Sequence, residues 1–177
     1  EAVHLYRRSG SPYLGPDRKD WGDNAFRYAA LSWAAATIGR GAIADFKPDI
    51  IHCHDWQAGL VPAYVRFTGG GPKTVMTVHN LAFPGYFPYS VFHSLRLPDE
   101  AFSITGVEYF GGVGFLKSGL QLADALTTVS PTYAREIQQP ENGMALDGLL
   151  RARSGSLQGI VNGIDTTVWN PSKDDAL

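Results

Sequence analysis

Two β-rich runs, Asp49 to His54 and Thr74 to His79, enclose a helical segment from Gln57 to Phe67, and this spacing constrains the chain more than any other feature. A strand, a helix and a second strand at that separation form a crossover unit, the connection that parallel strands require. Pro62 falls near the first turn of the helix, where a missing N–H costs nothing. Gly69-Gly70-Gly71-Pro72 is a flexible connection into the second strand. The alternation continues: Phe115 to Ala123 reads as helix and Ala125 to Val129 as strand. Ser130-Pro131 then opens another helix with a hydroxyl cap and a proline at its first position. Leu157 to Val161 is the last strand. Upstream, Asp23 is placed to cap a helix in which Phe26, Ala29, Ala30, Trp33 and Ile38 recur at helical spacing, ending near Gly39-Arg40-Gly41. Ala2 to Tyr6 reads as a strand already under way. The expected fold is α/β, a parallel sheet with flanking helices and no internal repeat.

The 177 residues, 44% hydrophobic and including four Trp, are enough for one domain with a sizeable core. The net charge is −2, and apart from short clusters such as Arg7-Arg8 and Arg18-Lys19 the cations are scattered. No basic face is available to neutralise a phosphate backbone, so nucleic acid is not an expected partner. Neither a signal-peptide pattern nor an apolar run of about 18 residues is present, so no membrane partner is expected. The single cysteine, Cys53, excludes an internal disulfide framework and reads as a buried thiol in a reducing compartment. There is no starting Met, and the chain reads as a piece cut from a longer one.

Polar residues gather where three of the strands end: His52, His54 and Asp55; Thr77, His79 and Asn80; Asn162, Gly163 and Asp165. In open parallel sheets ligands bind beyond the carboxyl ends of the strands, near the point where strand order reverses, so a shared cleft is expected there. The first cluster admits several readings. His-x-His followed by Asp lets two imidazoles share one side of a strand, as a metal site needs, but no second ligand pair follows at a recognisable spacing. For His52 the competing reading is a hydrogen-bonded histidine packed inside a covered strand. Asp55 could instead cap the helix that starts near Gln57.

His79 closes the β-branched run "TVMTV", and Asn80 opens the long loop "NLAFPGYFPYS". A loop of that length in a compact domain points to function, and its Phe83, Tyr86, Phe87 and Tyr89 suit either sugar stacking or packing beneath the loop. "GGVGFLKSG" lacks the order of a dinucleotide fingerprint or a phosphate-binding lysine loop, and reads as a permissive turn entering a helix. No Ser-centred elbow supplies a nucleophile for acyl transfer.

Four ordered stretches, "DIIHCHDWQAGLVPAYV", "TVMTVHNLAFPGYFP", "GFLKSGLQLADALTTVSPTYAREI" and "GIVNGIDTTVWNP", carry a resemblance that runs from about Tyr13 to Pro171. The chain resembles the amino-terminal domain of bacterial glycogen synthase and plant starch synthase. That resemblance implies a GT-B glycosyltransferase, in which two Rossmann-like domains face a cleft. Its donor would be ADP-glucose and its acceptor the non-reducing end of an α-1,4-glucan. The anomeric configuration would be retained, with no metal and no other cofactor. By position, His79 matches the family's histidine that contacts the donor glucose, and Asp55 an acidic residue of the same pocket; these are the candidate catalytic residues. Tyr13, Asn80 and Asn162 are the candidate substrate-binding residues.

The family's Lys-x-Gly-Gly-Leu motif does not occur in the sequence, and nothing in it resembles the second domain. Residues 1–177 are therefore expected to form a partial amino-terminal, acceptor-side Rossmann-like domain without the carboxyl-terminal nucleotide-binding domain, inactive in transfer by itself. Loss of the first strand or two would leave a sheet edge exposed and prone to association. The expected location is the bacterial cytoplasm, or the plastid stroma for a plant protein. Two rival functions stand beside this one: a carbohydrate-binding or scaffold module without catalysis, and a metal-dependent hydrolase built on the His-x-His-Asp cluster.

Overall fold

A computed structural model of the chain describes residues 2–173. In chain order the elements are helix α1 (Val3–Tyr6), helix α2 (Asn24–Thr37), strand β1 (Ile50–His54), helix α3 (Val61–Phe67) and strand β2 (Lys73–Val78). Three short strands follow, β3 (Tyr86–Phe87), β4 (Glu108–Tyr109) and β5 (Gly112–Gly114). Helix α4 (Phe115–Leu122), strand β6 (Ala125–Thr128), helices α5 (Pro131–Glu136) and α6 (Asp147–Ala152) and strand β7 (Leu157–Gly159) complete the chain.

The main sheet is wholly parallel, in the order β1-β2-β6-β7. This is the expected α/β, Rossmann-like arrangement, and β1-α3-β2 is the expected crossover unit. Strand order runs in one direction across the four strands, so the reversal expected to mark the cleft does not occur among the described residues. The other three strands form a small antiparallel sheet, β3-β5-β4, from segments whose sequence reads as loop and turn.

Register assigns different work to the two faces of the main sheet. Cys53, Met76 and Leu126 are paired in one row and all are buried, against Leu116, Leu120 and Ile137. The alternate row, His54, Thr77 and Thr127, is polar, and His52 and His54 are exposed on it. His52 is thus hydrogen-bonded, through Nε2 to the Thr77 hydroxyl at 2.6 Å, but not enclosed, because no layer among the described residues covers that face. The outer edge of β1 has no partner strand among them either, and Ile50 there is 55% exposed.

Three local expectations change. Ala2 to Tyr6 is not a strand: it closes one helical turn, with Arg7 N–H on Val3 O at 2.9 Å, because side-chain bonds hold it against α2 and not against a sheet edge. Asp23 precedes α2 but makes no cap bond, since its carboxylate is taken by the Arg8 guanidinium at 2.6 and 2.7 Å. That ion pair also holds the Asp23 carboxyl below the usual carboxylate range. The helix read from Gln57 to Phe67 is broken into a 3-10 turn, Trp56–Ala58, and α3, with Pro62 in the first turn of α3 as expected. Ser130 is the cap it was read to be, its Oγ accepting Tyr133 N–H at 2.9 Å.

Candidate functional site

A cleft of about 700 Å³ opens beyond the carboxyl end of β1, walled by the segment before α2 on one side and the loop after β2 on the other. Tyr13, Asp55 and Asn80 line it together with Trp56, Gln57 and Tyr86. Among the described residues no lysine or arginine does, and the acidic groups in its wall are Asp20 and Asp55. Such a lining offers hydrogen bonds and aromatic faces but nothing to neutralise a phosphate.

Tyr13 reaches the cleft because α2 grips the backbone beside it. The guanidinium of Arg27, itself 4% exposed, donates to Leu5 O (2.7 Å), Pro12 O (2.8 Å) and Asn24 Oδ1 (2.7 Å). Tyr28 Oη donates to Pro12 O at 2.9 Å and Asn24 Nδ2 to Tyr13 O at 3.1 Å. The Tyr13 hydroxyl then accepts Gln57 Nε2 at 2.8 Å, and its ring lies 6.1 Å from that of Trp56.

Asp55 has φ 52° and ψ −169°, a backbone region that costs a non-glycine residue of order 1–3 kcal/mol. The geometry is fixed by two bonds to the neighbouring strand end. Asp55 N–H donates to Thr77 O at 2.9 Å, and Asp55 Oδ1 accepts the backbone N–H of His79 at 2.8 Å. The carboxylate therefore does not cap the following turn, which removes that competing account of Asp55. It joins the ends of β1 and β2 and keeps Oδ2 available to the cleft.

The His79 ring is held in turn by His54, whose Nδ1 lies 3.1 Å from His79 Nε2, so one nitrogen donates and the other accepts. Partial desolvation first, then the neighbouring His52 and His79, lower the pKa of His54, with Asp55 opposing. Asn80 Oδ1 accepts Ala82 N–H at 2.9 Å and so shapes the start of the loop. Asn162 stands apart. It lies three residues past β7, at the same end of the sheet but exposed and not in the cleft wall. Among the described residues no group of three or more His, Cys, Asp or Glu side chains is disposed to hold a metal ion, which leaves the His-x-His-Asp hydrolase without a ligand set.

Residues 1–152 match the family described as the starch synthase catalytic domain. The chain belongs to this family. A glycogen synthase of Rhodopseudomonas palustris strain BisB18 is 63% identical, over 100% of this chain and 36% of its own. That of Acidiphilium cryptum strain JF-5 is 57% identical, over 100% and 37%. Among solved structures, the catalytic domain of Starch Synthase IV from Arabidopsis thaliana bound to ADP and acarbose aligns with a TM-score of 0.76 at 32% identity, over 89% of this chain and 33% of that one. The chain thus spans little more than a third of the length of its curated relatives. Tyr13, Asp55, His79 and Asn80 fall inside the span matched to the starch synthase family, and Asn162 beyond it.

Sequence reasoning missed the supports of this cleft. Arg27, Asn24 and Tyr28 lie on a helix that reads as simply amphipathic, and their polar atoms close on backbone carbonyls that no local pattern reveals. Gln57 and His54 were visible as polar residues beside the site, but their partners Tyr13 and His79 lie 44 and 25 residues away.

Proposed function

We propose that this chain is the partial amino-terminal, acceptor-side domain of a bacterial glycogen synthase. The complete enzyme would transfer glucose from ADP-glucose to the non-reducing end of an α-1,4-glucan, retaining configuration and using no metal. One observation carries the reading: a cation-free, aromatic and hydrogen-bonding cleft holds Tyr13, Asp55 and Asn80, and Asp55 ties His79 to its edge.

In this reading the cleft takes the sugar and not the diphosphate. Oδ2 of Asp55, the Tyr13 hydroxyl and the Asn80 amide meet sugar hydroxyls, and Trp56 supplies a flat apolar wall. His79 orients the glucose and polarises a hydroxyl near the anomeric carbon rather than attacking, and His54 holds its ring through Nε2 at 3.1 Å. Fixed dipoles of this kind act by positioning and by costing no reorganisation when charge develops. Asn162 would reach the sugar from the far side of the sheet end once the cleft is completed by the nucleotide-binding domain. Cations for the departing diphosphate would lie in that domain, since none lines the cleft. We assign the protein to the bacterial cytoplasm; the bacterial relatives and the buried, free Cys53 support this. Among the described residues no helix is long and apolar enough to cross a membrane.

The test is incorporation of glucose into glycogen by the complete protein, with and without chelator and with His79→Ala. Transfer from ADP-glucose that survives chelator and falls by at least about 100-fold in the variant, roughly 3 kcal/mol of transition-state stabilisation, is expected. No transfer from either ADP- or UDP-glucose sinks the proposal.

A further inference from the structure

The small sheet β3-β5-β4 has an inner face and an outer one. Phe87 and Val113 face inward, with Val113 fully buried in the core. Tyr86, Gly114, Gly112 and Tyr109 share the opposite face, since Tyr86 pairs with Gly114 and Tyr109 with Gly112; Tyr86 is 48% exposed there, while Tyr109 is half-buried against the core with its hydroxyl donating to Met144 O at 3.1 Å. The glycines let the two rings lie directly on the backbone: a methyl on Gly112 would come within 2.6 Å of the Tyr86 ring, and one on Gly114 within 2.7 Å of Tyr109 Cβ. The ring centroids of Tyr86 and Tyr109 are 6.4 Å apart, and the Phe110 ring is 4.7 Å from that of Tyr109. The rings, each turned edge-to-face on the next, form a row from the cleft wall, which Tyr86 lines, out to the tip of the β4–β5 hairpin.

Phe110 at that tip is disfavoured twice. Its φ of 47° lies in the left-handed region, which in a two-residue hairpin turn belongs to Asn, Asp or Gly. The residue is 72% exposed, so burial recovers little of that cost. A strained residue whose ring meets only the edge-to-face contact of Tyr109 points to a function outside the chain.

We propose that Tyr86, Tyr109 and Phe110 form a stacking platform for the acceptor α-glucan, carrying the chain away from the cleft toward the hairpin tip. Glucan is the occupant that fits because the row is continuous with the sugar cleft and has no basic group on it. The apolar C–H faces of glucose rings match its aromatic faces, and the tyrosine hydroxyls, which donate to Phe110 O at 3.4 Å and Met144 O at 3.1 Å, keep lone pairs that accept from sugar hydroxyls. The neighbouring carboxylate, Glu108, accepts Gly111 N–H at 2.8 Å. The inference rests on the glycogen synthase reading and adds to it a second, acceptor-specific region of the same site.

Phe110→Asn tests it, because Asn removes the ring while suiting the positive φ, so the hairpin should fold at least as well. In the complete enzyme the apparent KM for glycogen should rise about three- to tenfold, the range of one aromatic contact. The KM for ADP-glucose and the melting temperature should not move with it, and Phe110→Tyr should restore the glycogen KM. A wild type that transfers glucose but whose glycogen KM is indifferent to Phe110→Asn overturns the platform and leaves the function standing. So does a variant that loses thermal stability at unchanged glycogen KM, which would mean that the rest of the polypeptide covers the ring. A wild type that neither transfers to nor binds glucan overturns the functional reading and the platform together.

Discussion

Replacing Arg27 with Met should open the site without unfolding the core. Met retains most of the apolar stem, so the loss is confined to the guanidinium and its three bonds to Leu5 O, Pro12 O and Asn24 Oδ1, at 2.7, 2.8 and 2.7 Å. Hydrogen bonds to a charged donor are worth about 1.5–3 kcal/mol each, but they share one side chain and are not additive. Removing the donor leaves the buried Asn24 Oδ1 and the part-buried carbonyls of Leu5 and Pro12 without it, at a cost of about 3 kcal/mol in all. Two of the three acceptors lie in the segment before α2, so most of this falls on the docking of residues 2–22. At 3 kcal/mol the undocked population rises by about two orders of magnitude. Trypsin reads that opening directly, since Arg7, Arg8, Arg18 and Lys19 all lie in the segment. Hydrogen exchange reads it again at the Trp21 amide, now bonded to Tyr13 O at 3.0 Å. Faster nicking and exchange in that segment, with β1, β2 and β6 still protected, is the expected result. If nicking and exchange there match the wild type, or if all strands lose protection equally, the argument that Arg27 positions Tyr13 is wrong.

Ser130→Ala removes the hydroxyl that accepts Tyr133 N–H and should lower the unfolding free energy by about 1 kcal/mol in urea titration; an unchanged midpoint refutes the cap. Lys117 is buried on α4, where its ammonium donates to the carbonyls of Ile104 and Gly106, and burial, opposed by Glu108, pulls its pKa from 10.5 down to about 8. The unfolded chain therefore holds more protons than the native one between those two values, so this group makes the native state gain stability as pH rises through that window. Denaturation midpoints of wild type minus Lys117→Met, compared across the window, should climb with pH and be flat below it; a difference that falls with rising pH contradicts the assignment.

Strand and helix order was legible in the sequence because each element announces itself locally. The β-branched runs before His54 and His79, the glycine-proline break at residues 69–72 and the Ser130-Pro131 cap all act within one turn or one strand. Polar residues at the strand ends were legible for the same reason, and so was the resemblance to the starch synthases. The carboxylate of Asp55 was misread in one alternative as a helix cap because its true partner, the amide of His79, is 24 residues distant. Ala2 to Tyr6 was misread as strand because short apolar runs carry no mark of what they will lie against.

The sequence by itself determined an α/β chain of parallel strands with its polar residues at their carboxyl ends, since periodicity, turn residues and caps are properties of neighbours in the chain. Only the tertiary structure decided which of those residues meet. Arg27 sets the place of Tyr13 and His54 that of the His79 ring, while two glycines on β5 seat the tyrosines of the small sheet. These are long-range hydrogen bonds and close backbone approaches, and they come into being only when distant segments are packed together.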